Sequence, residues 1–318
     1  MLYAIISLLK PRLTPALTPM NPTNTASAIF ETNIDNLQLI ARGKVRDIYR
    51  IDDEHMLIVS TDRLSAFDVV FSQTIPKKGE LLTQVSNFWF ARTGHIIRNH
   101  LCDLRLQDYV SAEDFRQLEP RSIIVKRLKT LPVEAIVRGY IIGSGWKDYQ
   151  ASGEICGIKL PEGLEQAEQL PEPIFTPSSK AAVGDHDINI SFDDAVALIG
   201  EDMANQVKEV SIALYKMASE YAHSRGIIIA DTKFEFGVDE NNQLVLIDEI
   251  LTPDSSRYWP ADQYQKGISP PSYDKQFIRD HLETLDWDKT PPAPVIPQDI
   301  IDKTQQKYQD VHDILTQS

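Results

Sequence analysis

Cysteine, excess positive charge and long apolar runs are all scarce in this sequence, and each shortage closes a class of function. Only Cys102 and Cys156 occur in 318 residues, and they form no close-spaced motif. That argues against a disulfide framework or a zinc cluster and suits a reducing, cytoplasmic setting. Lys and Arg number 32 against 46 Asp and Glu, a formal net charge of -14. Such a chain is not expected to bind nucleic acid or an anionic membrane over a broad face, although a local basic pocket is compatible with it. No segment reaches the roughly 20 apolar residues that span a bilayer, so no membrane partner is expected. The apolar stretch Leu2 to Leu9 has no charged region before it and so does not read as a signal peptide. Residues 1–25 read as a disordered extension, with a start at Met20 as the alternative.

The 42% of hydrophobic residues is enough for a sizeable core, in one large domain or two of ordinary size. Leu37 to Ser60 is strand-like, with a turn at Asp52 to Glu54. Gly79 to Gly94 places Leu82, Val85 and Trp89 at helical spacing. "RSIIVKRL" and "VEAIVRGYI" are β-rich and flank Lys129 to Pro132, a candidate domain boundary. The Pro-, Glu- and Gly-rich span 153–177 is expected to be a long surface loop. From Ser191 to Gly226 the pattern is one or two amphipathic helices, with Ser191 as N-cap and Asp193 and Asp194 in the first turn. A hairpin follows, then two C-terminal segments of helical period. The expectation is a mixed α+β fold without internal repeats.

The hairpin opens with "IIIADTKFEFG", in which Asp231, Lys233 and Glu235 take every second position after an apolar run. In a strand these three share one face, and Thr232, Phe234 and Phe236 the other. A four-residue turn sets Val238 opposite Gln243, Glu235 opposite Leu246 and Lys233 opposite Asp248. Asp248 then joins the charged face, diagonal to Glu235 at roughly 7–8 Å between backbones. Two carboxylates so placed suit Mg²⁺ ions carried on nucleotide phosphates. A slip of one residue sends Asp248 to the other face. A salt-bridge ladder on a solvated face is the competing reading. Against it stand the apolar approach, the excess of acids over Lys233, and the exit "LTPDSSRYW", where Asp254 to Arg257 have the composition of an anion-binding loop.

Other constellations are weaker alone. In "RGKVRDIY", Gly43 lets backbone approach a phosphate that Arg42, Lys44 and Arg46 neutralise; a solvated glycine turn is the plain alternative. "STDRLSAFD" crowds polar groups at a strand end, as a site would, or as an Asx-turn and helix cap using Asp62 or Ser65 would. "VRGYIIGSGW" sets Arg138 before Gly143-Ser144-Gly145. That suits bidentate anion recognition with glycine-opened N–H groups, or Arg138 paired with an acid such as Glu134. Lys180, Asp185, His186 and Asp187 share one stretch, which reads as a structured loop and not a zinc site.

Taken together and in order, eight segments resemble the SAICAR synthetase (phosphoribosylaminoimidazole-succinocarboxamide synthase) family. They are "GKVRDIY", "STDRLSAFD", "IPKKGELLTQVSNFWF", "VEAIVRGYIIGSGW", "FTPSSKA…GDHDINIS", "DTKFEFG", "IDEILTPDSSRYW" and "SYDKQFIRDHL". The resemblance implies a small antiparallel β lobe, similar to a kinase N-lobe, over residues 26–129. Below it would lie a larger α+β lobe of ATP-grasp type, residues 130–318, with ATP between the two. The implied reaction joins 5-aminoimidazole-4-carboxyribonucleotide to L-aspartate, converting ATP to ADP and phosphate, in purine biosynthesis. Carried over by position, Gly43, Lys44, Arg46 and Lys126 would close over ATP, and Glu235 and Asp248 would hold Mg²⁺. Arg138, Ser144, Asp231, Lys233 and Arg257 would contact the imidazole nucleotide, with Asp231, Lys233 and Arg257 as the catalytic set. Asp62, Arg63, Ser65 and Asp68 would line the same cleft, with Lys180, Ser255 and Ser256 also on the substrate side. Small molecules are thus the expected partners of a monomer or small homo-oligomer.

Elementary chemistry agrees with that implication. A carboxylate is a poor acyl donor until phosphorylation gives it a leaving group. ATP, a nucleotide and a dicarboxylic amino acid bring many negative charges together, and an acidic protein must gather cations to receive them. Asp231 is the candidate base for the amine, unless the amine arrives neutral. A kinase-like phosphotransferase shares the glycine turn and metal carboxylates, but no "HRD" loop occurs. A non-catalytic nucleotide-binding scaffold would be expected to have lost members of the charged set.

Overall fold

Period-2 alternation between Leu37 and Ser60 resolves into three strands in the computed structural model, which describes residues 28–180 and 188–317. These are β1 (Gln38–Arg42), β2 (Arg46–Arg50) and β3 (His55–Ser60). A hairpin follows, β4 (Arg63–Ala66) and β5 (Val69–Thr74), then helices α1 (Lys78–Thr93) and α2 (Ala112–Leu118). Strand β6 (Ser122–Lys126) returns to pair with β3 and gives an antiparallel sheet in the order β1-β2-β3-β6. Its apolar face, with Tyr49, Leu57, Val59 and Ile124, packs on Ile34, Val110 and Leu118. Asp47, a charged side chain buried at the edge of this interior, is tolerated because it is satisfied. It accepts from Thr32 N–H and Oγ1 at 2.8 Å each and from Arg63 at 2.8 Å.

Strand β7 (Lys129–Tyr140) starts a second sheet after only two residues. It runs straight through the 129–132 stretch and carries Pro132 beside a register shift against the central strand, where a missing N–H is least costly. Helix α3 (Gly143–Ser152), the two-residue strands β8 (Glu154–Ile155) and β9 (Ile158–Lys159), and β10 (Gln169–Phe175) follow. The span 153–177 is therefore not all surface loop: β10 pairs with β7, and Leu170 and Phe175 are buried. Its prolines, Pro171 and Pro173, are acceptable because the β10 pairing is itself interrupted between Gln169 and Ile174.

Strands β11 (Ser178–Ser179) and β12 (Ile188–Asn189) precede helices α4 (Phe192–Ile199) and α5 (Glu201–Ser224). Ser191 caps α4 in a reciprocal box with Asp194, as expected. Gly200, at φ 84°, separates the two helices. The long strand β13 (Ile227–Val238) then lies between β7 and β14 (Leu244–Ile247), with β15 (Ser256–Pro260) pairing along its first half. Helices α6 (Gln276–Glu283) and α7 (Gln298–Thr316) close the chain. Val137, Phe234 and Phe236 bury against Leu214 and Ala218 of α5, Trp89 of α1 and Val311 of α7. This is a mixed α+β fold on antiparallel sheets.

Two connections set the site. Residues 98–102 run between the sheets as an extended strap, with Leu246 N–H bonded to Arg98 O and His100 N–H to Leu246 O on one side. On the other, Lys126 N–H bonds to His100 O and Cys102 N–H to Ile124 O. The second connection is the hairpin turn, which corrects the expected register. Val238 pairs with Leu244 and Glu235 with Ile247, one residue away from the expected alignment. Five residues, 239–243, make the turn because Asp239 Oδ1 accepts both Asn241 and Gln243 N–H. Continued in that register, Asp248 would face Phe234 on the apolar side. Instead the strand ends at Ile247, and Asp248 adopts φ 68° and leaves the ladder.

Candidate active site

The charged face expected on β13 exists, and β7 completes it. Asp231 lies opposite Arg138, Lys233 opposite Ile136 and Glu235 opposite Glu134, so all six side chains share one face. Asp231 Oδ2 accepts from Arg138 at 3.0 Å and also from Arg257, its neighbour on β15. Arg138 is buried, and its remaining bonds run to Thr176 Oγ1 and Ser144 Oγ, both at 3.0 Å. It therefore orients Asp231 and Ser144, while Arg257 and Ser144 reach solvent. Asp231 Oδ2 already accepts two guanidinium bonds, which leaves that oxygen badly placed to take a proton from an amine. The glycines of "GSG" work differently from expectation. Gly143 sits at φ 62°, where a Cβ would strike the Arg257 guanidinium, and a Cβ at Gly145 would crowd the Arg138 side chain. They make room for two arginines.

Lys233 Nζ reaches Glu134 Oε1 at 2.6 Å and Glu235 Oε1 at 3.0 Å. Glu134, considered from sequence as a partner for Arg138, thus serves Lys233. Burial works against the Lys233 charge, but Glu235, Glu134 and Asp248 outweigh it and raise its pKa. The ammonium stays charged and is no base. Lys180 pairs with the other oxygen of Glu235. Asp248, once off the ladder, accepts a fork from Arg46 of the first sheet, Nη1 to Oδ1 at 2.5 Å and Nη2 to Oδ2 at 2.9 Å. Burial tends to raise the Asp248 pKa, but Arg46 and Lys233 override it and hold the group at about 2.

Among the described residues, no three His, Cys, Asp or Glu side chains are grouped to hold a metal ion. Mg²⁺ arriving on phosphates needs only one or two carboxylates. Glu235 and Asp248 fit that need, because Arg46 and Lys233 each feel the charge of both. In this structure those cations neutralise the two carboxylates.

Several expected site residues are committed elsewhere. Asp62 is buried and accepts from Ile29 N–H at 2.8 Å and Gly79 N–H at 2.9 Å, with Arg121 at 3.0 Å. Arg63, also buried, donates to Phe30 O, Lys44 O and Gly43 O, bracing the glycine turn from behind. Ser256 Oγ lies 2.8 Å from Thr232 Oγ1 on the core face of β13. Ser255 closes its own turn through Thr252. Ser65 offers its carbonyl to Lys275. Lys44 pairs with Asp68 across the mouth of the cleft. Gly43 folds back on Arg46 O at 2.8 Å, and Lys126 ends β6 with its side chain exposed. Asp185, His186 and Asp187 lie outside the described residues.

A second charged cluster was not assigned from sequence. Asp254 accepts a hydrogen bond from Tyr308 Oη at 2.9 Å and pairs in charge with buried Lys78 at 2.7 Å and with Lys275 at 3.3 Å. Beside it is a cavity of about 260 Å³ lined by Lys44, Asp68, Glu249, Lys275 and Arg279, among others. Lys275 and Arg279 lie inside "SYDKQFIRDHL", so the signal was present but had been used only to establish resemblance.

Fold and site together define a two-sheet, nucleotide-handling type of enzyme, with facing cations and carboxylates between the sheets. The family model described as SAICAR synthetase matches residues 39–294. A phosphoribosylaminoimidazole-succinocarboxamide synthase of Thioalkalivibrio sulfidiphilus is 59% identical over 283 residues, 89% of this chain and 96% of the relative. The structure of a SAICAR synthase from Saccharomyces cerevisiae complexed with SAICAR matches with a TM-score of 0.83 and 47% identity, over 92% of this chain and 99% of that one. A Type-2 SAICAR synthetase structure in complex with ADP matches with a TM-score of 0.65 and 25% identity, over 87% of this chain and 97% of that one. The chain belongs to the SAICAR synthetase family.

Proposed function

We propose that the chain is an ATP-dependent ligase of purine biosynthesis that joins 5-aminoimidazole-4-carboxyribonucleotide to L-aspartate, releasing ADP and phosphate. The observation that carries this is the shared charged face of β7 and β13, with Arg257 and Lys233 open to the cleft and Arg46 facing it from the first sheet. An acidic chain has gathered cations where three anionic substrates must meet. The SAICAR and ADP named with the two related structures are the product and the spent nucleotide of this reaction.

Gly43, Lys44 and Arg46 close over the ATP phosphates, with Lys126 at the cleft edge. Arg257 and Ser144 grip the imidazole nucleotide, and buried Arg138 holds Asp231 and Ser144 in place. Lys233 lies where charge develops as phosphate passes to the carboxylate. Fixed cations of this kind stabilise a transferring phosphoryl group without reorganising. Glu235 and Asp248 would hold Mg²⁺, whose chemistry is to neutralise phosphate charge. Arg46 would then exchange Asp248 for phosphate. The carboxylate attacks the γ-phosphorus, ADP leaves, and the acyl phosphate is taken by the amine of L-aspartate with loss of phosphate. The cavity beside Asp254 suits that amino acid: Lys275 and Arg279 match its carboxylates, and Glu249 and Asp68 its amine. Asp62, Arg63, Ser65, Ser255 and Ser256 serve as scaffold. The two free cysteines suit the cytoplasm.

The test is ADP release by purified enzyme with each substrate omitted in turn. Release that requires both the imidazole nucleotide and L-aspartate is expected. Release needing neither, or none with all three present, would overturn the proposal.

A further inference from the structure

The C-terminal helix α7 begins at Gln298, beyond residues 39–294, which the family model matches. Its contacts are mostly apolar, with Ile301, Val311 and Leu315 buried. Tyr308 is the exception. Its ring is 1% exposed within the apolar cluster of β4, β5 and α6, yet its hydroxyl points out of that cluster to Asp254 Oδ1 at 2.9 Å. Burial first, and then the Asp254 charge, keep the phenol protonated and therefore a donor.

The oxygen it bonds is the one that Lys275 also approaches, at 3.3 Å, while Lys78 takes the other oxygen at 2.7 Å. Asp254 is thus shared between one hydroxyl donor and two ammonium groups, all buried or nearly so. Lys275 is held at the longest distance of the three. Its Nζ is also steadied by Ser65 O at 3.3 Å and borders the cavity. If the Tyr308 hydroxyl were removed, Oδ1 would lose its hydrogen-bond donor and keep the Lys275 ammonium as its remaining partner. Lys275 would close on Asp254 and withdraw from the cavity.

We infer that Tyr308 is a positioning residue for the amine-donor cavity, acting through Asp254 to keep the Lys275 ammonium available to a substrate carboxylate. The inference rests on assigning that cavity to L-aspartate. It places part of the donor site under the control of the C-terminal helix.

Tyr308→Phe keeps the buried ring and removes one oxygen. It should raise KM for L-aspartate about tenfold, the size of one charge-assisted hydrogen bond, with kcat and KM for ATP within about twofold. Val311→Ala, on the same helix but away from Asp254, should lower Tm and leave KM for L-aspartate unchanged. Lys275→Met separates the two layers of the proposal. If Lys275→Met raises KM for L-aspartate and Tyr308→Phe does not, the positioning role is wrong and the cavity assignment stands. If neither changes it, the cavity assignment fails and the inference with it. A KM rise in Val311→Ala equal to that in Tyr308→Phe would reduce Tyr308 to a packing residue.

Discussion

Two carboxylates in the cleft, Asp231 and Asp248, both meet arginines but are held in opposite ways. Asp231 is clamped within one sheet by Arg138 on β7 and Arg257 on β15, its register neighbours on either side. Asp248 is held across two sheets by Arg46, which lies 202 residues away in sequence. The first arrangement is rigid because three hydrogen-bonded strands fix it. The second depends on how the sheets face one another, and the 98–102 strap is a backbone link hydrogen-bonded to both. A substrate-orienting group belongs in the first setting. A group that must trade an arginine for a metal-bound phosphate belongs in the second.

Mutations should separate the two. The largest effect is expected at the exchangeable site: Asp248→Asn and Glu235→Gln should each cut kcat by orders of magnitude in the ADP-release assay, with the folded far-UV CD spectrum retained. Near-normal turnover in either would remove that residue from the metal set. Arg138→Met should act on stability as well as activity. It leaves Asp231 with Arg257 as its remaining partner, and denaturant unfolding should show a loss of roughly 1.5–3 kcal/mol, the size of one hydrogen bond to a charged group.

The strap gives the region between the two sheets a pH signature. His100 is 1% exposed with neither ring nitrogen hydrogen-bonded, and burial lowers its pKa to about 4 from an ordinary 6.5. Between those values the unfolded chain binds a proton that the folded one refuses, so stability is full above about pH 6.5 and falls as pH drops to 4. Such a shift is worth roughly 3 kcal/mol. Tm measured over that range should decline, and His100→Met should flatten the decline. The smallest effect is expected on the core side of the clamp. Ser256→Ala should cost about 1 kcal/mol or less and leave every kinetic constant unchanged.

Alternation along β13 made the charged face legible in sequence, because a strand has only two faces. The same rule excludes Ser256 once Arg257 faces the cleft, since adjacent strand residues point opposite ways. The position of Asp248 could not be read from periodicity. It depends on a fifth turn residue, stabilised by the Asp239 side chain, and on one left-handed residue after the strand. The Asp254 cluster was hidden for another reason: Lys78, Asp254, Lys275 and Tyr308 come from four distant segments, and only packing brings them together. Asp62 and Arg63 are buried among their partners, which polar composition alone does not reveal, because buried scaffold and binding loops share it.

The central claim is that ATP activates the imidazole carboxylate by phosphorylating it on this charged face. The direct measurement uses imidazole nucleotide labelled with ¹⁸O in its carboxylate, turned over with ATP and L-aspartate, followed by mass spectrometry of the phosphate released. Attack by the carboxylate on phosphorus carries one labelled oxygen into phosphate for each product formed. Unlabelled phosphate alongside normal product would contradict the account.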